Sequence, residues 1–195
     1  MSSNKLEKKY QKKSQLEHIK DLPDTYIGST EKTTEEQYIY EDEKIIKKKV
    51  SYVPGLLNIW TEILVNAIDH HTRCHNDEDE ENVKYIKVSF DIPNNKITIR
   101  NEGSIEISKH PTIKNEKKKP IYIPELIFGH LLTSSNYDKE EKKIVGGKNG
   151  YGAKLTNIFS DEFKILTIHN GKKYIQIFRN NMSEKDKPKI TKCST

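Results

Sequence analysis

One long amphipathic helix and a set of hairpin patterns, met in blocks rather than in strict strand–helix alternation, predict an α+β sandwich. Its helices are expected on one face of a mixed, mostly antiparallel sheet. The helix is the clearest element. From residue 54 to 73, Leu56, Ile59, Trp60, Ile63, Leu64, Ala67 and Ile68 recur at three- and four-residue steps as one apolar stripe. A first hairpin is read from Tyr85–Ile92 and Lys96–Arg100, which alternate with period two about Asn94-Asn95. A second is read from Phe163–His169 and Lys172–Phe178 about Asn170-Gly171.

The remaining elements follow from local signals. The first residues are rich in lysine and suit a mobile or docked arm. Ser14-Gln-Leu-Glu17 fits a capping box for a short helix that Pro23 ends. Weak strand signals run to about Val53, residues 76–82 form an acidic loop, and Lys114 to Lys119 a basic one. Pro124 suits the first turn of a helix reaching Leu132. The glycine-rich stretch 146–152 leads into a helix from Ala153 to Phe159, and the last fifteen residues look irregular.

The chain has 195 residues, enough for one domain and short for two. Charged residues make up 32 %, the hydrophobic set 33 %, and the mean hydropathy is −0.86, yet the patterned Ile, Leu and Val runs argue against disorder. A net charge of +5, with lysines interleaved among acids, marks no nucleic-acid face. Cys74 and Cys193 exclude a disulfide scaffold and favour a reducing, intracellular compartment. No stretch approaches the roughly 20 apolar residues of a membrane span, and the N-terminus has no signal core.

Chemistry concentrates in two places. Glu62, Asn66, Asp69 and Arg73 follow at steps of four, three and four, so they share one face of the long helix. An arbitrary helix has such a face merely for solubility. A carboxylate one turn before a carboxamide can also hold a water while the amide oxygen meets a hard cation such as Mg²⁺. The second place is Gly146-Gly-Lys-Asn-Gly-Tyr-Gly-Ala-Lys154. Its glycines let backbone approach a phosphate at a helix start, although the order is neither Walker A nor G-x-G-x-x-G. A plain surface loop is the competing reading. Lys154 in a first helical turn opposes the dipole, which a nearby anion would offset. Ser134-Ser135-Asn136 suits a sugar or phosphate contact, or simply a turn. The histidines form no metal-like array, and no nucleophile has a partnered base.

Five segments taken together resemble a known family. They are Tyr10–Ile19, Pro23–Gly28, Glu62–Asp69, Ile123–Tyr137 and Gly146–Leu155, which in this order look like the N-terminal ATPase domain of eukaryotic-type type II DNA topoisomerases. The resemblance implies the GHKL ATPase sandwich, with ATP and Mg²⁺ as cofactors and ATP held under a lid. It implies that Glu62 is the general base and that Asn66 binds Mg²⁺. Gly147, Lys148, Asn149, Gly150, Tyr151, Gly152, Ala153 and Lys154 would wrap the triphosphate, while Ser134, Ser135 and Asn136 contact the nucleotide. Arg73 matches an arginine near the phosphates. Tyr10 matches a tyrosine of an N-terminal strap, residues 1–13, that reaches the partner's nucleotide, leaving 14–195 as the ATPase domain.

The family's adenine motif, Asp or Asn followed by Gly-x-Gly, here reads Asn101-Glu102-Gly103-Ser104-Ile105. Either Glu102 or Asn101 would take the adenine contact, and Ile105 removes the freedom of the second glycine. His70 stands where an asparagine is frequent. The resemblance further implies a fragment of a larger enzyme, lacking the transducer and the DNA-cleaving core. In the whole enzyme, ATP would close a homodimer around DNA to change its topology, in a nucleus or at a viral replication site, with no membrane involved. The alternatives are another GHKL ATPase, MutL-like or chaperone-like, and a non-catalytic nucleotide-binding or dimerisation module.

Overall fold

The computed structural model describes residues 13–76, 85–131 and 151–193, with the side chains of 73–76 outside the description. Tyr10, Ser134–Asn136, Gly147–Gly150, the Arg73 side chain and nearly all of the acidic loop therefore lie outside the described residues. The chain forms two compact units, meeting between Asn58 and Ile59.

In the first unit, α1 (Gln15–Asp21) begins at the expected capping box. The Glu17 amide donates to Ser14 Oγ at 3.2 Å, and the Ser14 amide to Glu17 Oε2 at 2.7 Å. Pro23 ends α1, and at its own first position it also opens α2 (Pro23–Ile27). Gly28 turns the chain out of α2 at φ +86°, a conformation that costs glycine little. Asn58 Nδ2 then donates to the Ile27 carbonyl at 2.7 Å, and Ile19 and Ile27 fill the small core.

The weak strand signals resolve into a full hairpin, β1 (Thr33–Glu41) with β2 (Lys44–Tyr52). Asp42 and Glu43 are both left-handed (φ 50° and 60°), as a two-residue hairpin turn requires. Across the strands Lys47 meets Glu36 at 2.7 Å and Lys48 meets Glu41 at 3.0 Å. Helix α3 (Pro54–Asn76) follows, three residues longer than the apolar stripe indicated.

The second unit pairs β3 (Ile86–Asp91) with β4 (Lys96–Asn101), as the alternation predicts, joined by a 3₁₀ turn at Ile92–Asn94. The Phe90 ring stands edge-on to Trp60 of α3 at 5.9 Å. The basic loop is the turn of a further hairpin, β5 (Lys109–Lys114) with β6 (Pro120–Tyr122), held by Asn115 Oδ1 accepting from the Lys119 amide at 2.9 Å. Helix α4 (Ile123–Gly129) stops short of the expected Leu132, since His130 is already extended (φ −128°, ψ 121°). Helix α5 spans Gly152–Ile158.

The largest sheet has the order β10–β8–β7, from β7 (Glu162–His169), β8 (Lys172–Arg179) and β10 (Lys189–Lys192), with the two-residue β9 (Glu184–Lys185) also on β8. The last residues are thus not irregular. Every pairing among the described residues is antiparallel. Alternation on β8 turns Tyr174, Gln176 and Phe178 inward, each 1 % exposed or less. The Phe178 ring lies so close to Gly129 of α4 that any side chain there would strike it.

Candidate functional site

The site starts from the polar edge of α3. Asn66 Nδ2 donates to the Glu62 carbonyl one turn back, at 2.6 Å. That uses the amide nitrogen and leaves Oδ1 as an acceptor. Helix α5 then brings its first residue against this edge. A Cβ placed on Gly152 would collide with Glu62 Oε2, at 3.3 Å from the carboxyl carbon and 3.4 Å from Asn66 Nδ2. Only glycine permits that approach, so Glu62, Asn66 and Gly152 form one cluster.

Two side chains of α5 hold it there. Thr156 Oγ1 donates to the Ile59 carbonyl of α3 at 2.5 Å, and Asn157 Nδ2 to the Phe128 carbonyl of α4 at 2.9 Å. Ala153 and Lys154 are buried, and Tyr151 is half-buried before the helix.

Two ionisable groups at this cluster are shifted. Partial burial, and then the charge of Asp69, push the Glu62 carboxyl above its ordinary range. Burial pulls the Lys154 amine down to about 8, so that side chain lies in a place that disfavours its charge. No group of three or more His, Cys, Asp or Glu among the described residues could hold a metal ion. A cation here would rely on a carboxamide and on ligands brought by its substrate.

The second cluster is the Asn101–Ile105 segment. Asn101 Nδ2 donates to the Glu102 carbonyl at 2.7 Å, leaving its Oδ1 to accept. Gly103 turns at φ +87°. Ser104 Oγ then pairs with His169 Nδ1 at 2.8 Å, and the Ile105 amide donates to Thr167 Oγ1 at 3.0 Å. Side chains of β7 therefore anchor the segment where the sequence lacks a second glycine. His70 is half-buried on α3.

Sequence reasoning missed the hydroxyl and amide of Thr156 and Asn157. Their signal was available: both are poor helix formers within a short helix. Thr167 and His169 read only as strand residues and gave no such signal.

An α+β fold that sets a helix-borne carboxylate and carboxamide against a glycine-led helix start is that of a GHKL-type ATPase. No family model matches the chain. It is 50 % identical over 192 residues to "DNA topoisomerase 2" of Arabidopsis thaliana, covering 97 % of this chain and 12 % of that protein. It is 47 % identical over 195 residues to "DNA topoisomerase 2" of Acanthamoeba polyphaga mimivirus, covering 95 % of this chain and 14 % of that one. The crystal structure of the ATPase region of Saccharomyces cerevisiae topoisomerase II superposes with a TM-score of 0.85 at 49 % identity, over 96 % of this chain and 48 % of that chain. Over nearly its whole length the chain is similar to the ATPase region of the type II DNA topoisomerases. It spans about an eighth of the length of these curated relatives.

Proposed function

We propose that this chain binds ATP at the Glu62–Asn66–Gly152 cluster, and that Glu62 takes the proton of the water attacking the γ-phosphate. The observation that carries the reading is the collision any side chain at Gly152 would make with the Glu62 carboxylate, which brings a base to the helix start expected to hold phosphate. Phosphoryl transfer to water is mostly positioning and charge neutralisation, so a base with a raised pKa and a lysine readily recharged by phosphate are the parts it needs.

Asn66 Oδ1 would be the protein ligand for Mg²⁺, which would supply charge neutralisation at the phosphates. Gly152, Ala153 and Lys154, with Gly147–Gly150 before them, wrap the triphosphate, and Ser134–Asn136 and Arg73 contact the nucleotide. Asn101 or Glu102 receives the adenine amino group. In the whole enzyme, ATP closes a homodimer, with Tyr10 of the strap reaching the partner's nucleotide, and closure gates passage of DNA inside the cell. No described helix is long and apolar enough to cross a membrane.

A non-catalytic nucleotide module is favoured only by Glu102 and Ile105. Glu62→Ala separates the two readings. Nucleotide binding stays within about threefold while hydrolysis falls by about a hundredfold or more, as loss of a positioned base demands. Equal turnover in the variant and the unsubstituted chain would sink Glu62 as the base.

A further inference from the structure

Outside the Glu62 cluster, one charged group is sunk into the layer between α4 and β8. Glu125 is only 8 % exposed, on a helix otherwise packed by Pro124 and Leu126. Lys185 Nζ of β9 reaches Glu125 Oε1 at 2.7 Å, and His130 Nε2 lies 3.5 Å from the same oxygen and 3.4 Å from Lys185 Nζ. Gln176, 1 % exposed on β8, adds a hydrogen bond to the carboxylate. It accepts from the Tyr174 hydroxyl at 2.6 Å and donates to the Asp186 carbonyl at 3.1 Å. The Asp186 carboxylate is held in turn by Arg179 at 2.8 Å.

Burying the Glu125 carboxylate costs desolvation that an apolar side chain would avoid, and Lys185, its own side chain 42 % exposed, offsets that cost together with His130 and Gln176. The pair also supplies a seat for α4, because carboxylate, ammonium and amide are satisfied together in the placement seen. That seat passes to the site through named contacts. The Phe128 carbonyl of α4 takes the Asn157 amide of α5, whose Oδ1 is buried and has no hydrogen-bond partner, so this tie is a single bond. The first residue of α5 is Gly152, packed against Glu62.

We propose that Lys185 and Glu125 are a positioning pair for the nucleotide site. They set α4 on β8 and, through Phe128 and Asn157, the placement of α5 against Glu62. The inference rests on the ATP reading above. It adds a determinant on β9 that touches no nucleotide.

The test uses the full chain, a non-hydrolysable ATP analogue with Mg²⁺, calorimetry well below the melting midpoint, and thermal melting in parallel. Lys185→Met binds the analogue about tenfold more weakly, while Lys185→Arg, which keeps the charge, stays within about twofold. The double variant Glu125→Gln/Lys185→Met is no weaker than the worse single one, because the two residues act as a unit. A lowered melting midpoint with unchanged affinity would make the pair merely structural and overturn the proposal, as would additive losses in the double variant. Absence of binding by the unsubstituted chain would instead overturn the ATP reading, and the inference with it.

Discussion

Gly152 is where the smallest side chain decides the most. In Gly152→Ala the added methyl meets the Glu62 carboxylate, so either the base swings away or α5 backs off. Alanine is the better helix former by about 1 kcal/mol, which offsets part of that strain. Turnover of ATP is therefore expected to fall about tenfold or more while the melting midpoint changes little, an outcome read by steady-state kinetics beside calorimetric melting. Lys154 carries the matching prediction on the phosphate side. Its amine titrates at about 8 in the free protein, so at about pH 8.5 most of it is neutral. A bound triphosphate raises that pKa, and binding then takes up a proton. Titrations in buffers of different ionisation enthalpy should show this uptake, and Lys154→Met should abolish it.

Elements were legible wherever the signal was local. Ser14 and Glu17 announce α1, and Asn170-Gly171 announces its hairpin, with φ of 46° and 67° in the turn. The hidden ones depend on partners distant in sequence. Strand β10 is a four-residue run, Lys-Ile-Thr-Lys, too short to declare its pairing to Lys172–Ile175. Helix α4 ends at Gly129, which sits on the Phe178 ring, a contact invisible from Pro124–Leu132 alone. The same junction sets an acid limit on the fold. Burial by itself would raise the Glu125 pKa, but hydrogen bonds from His130 and Lys185 outweigh it and hold the carboxyl down to about 2. A depressed carboxyl contributes stability that is present above its ordinary value of 4.5 and lost as pH falls through about 2. Glu125→Gln should therefore show a shallower fall of melting midpoint with pH across that interval, followed by circular dichroism.

For the molecule as a whole, composition bounded the answer and the ordered motifs located it. Helix periodicity placed Glu62 and Asn66 on one face, and glycine spacing marked the stretch leading into α5 as a candidate for holding phosphate. Neither could tell that Gly152 would abut Glu62, because that meeting is set by Thr156 and Asn157 gripping carbonyls of Ile59 and Phe128. Nor could spacing show that Thr167 and His169 anchor the segment where a glycine was expected.

The β1–β2 hairpin bears on how the molecule stays in solution. A sheet of two strands keeps a row of unsatisfied backbone groups along each outer side, able to recruit an extended strand from another chain. Here each strand is nine residues long, and Tyr38, Tyr40 and Ile45 stand about three-quarters exposed on one face. That combination would favour fibre growth but for the charges bordering it. Lys47, Lys48 and Lys49 follow one another on β2 and Glu35 and Glu36 on β1, so a second copy joining in parallel register would set like charges side by side. Against that one mode of addition the repulsion is electrostatic and solvent-facing, so it weakens as ionic strength rises.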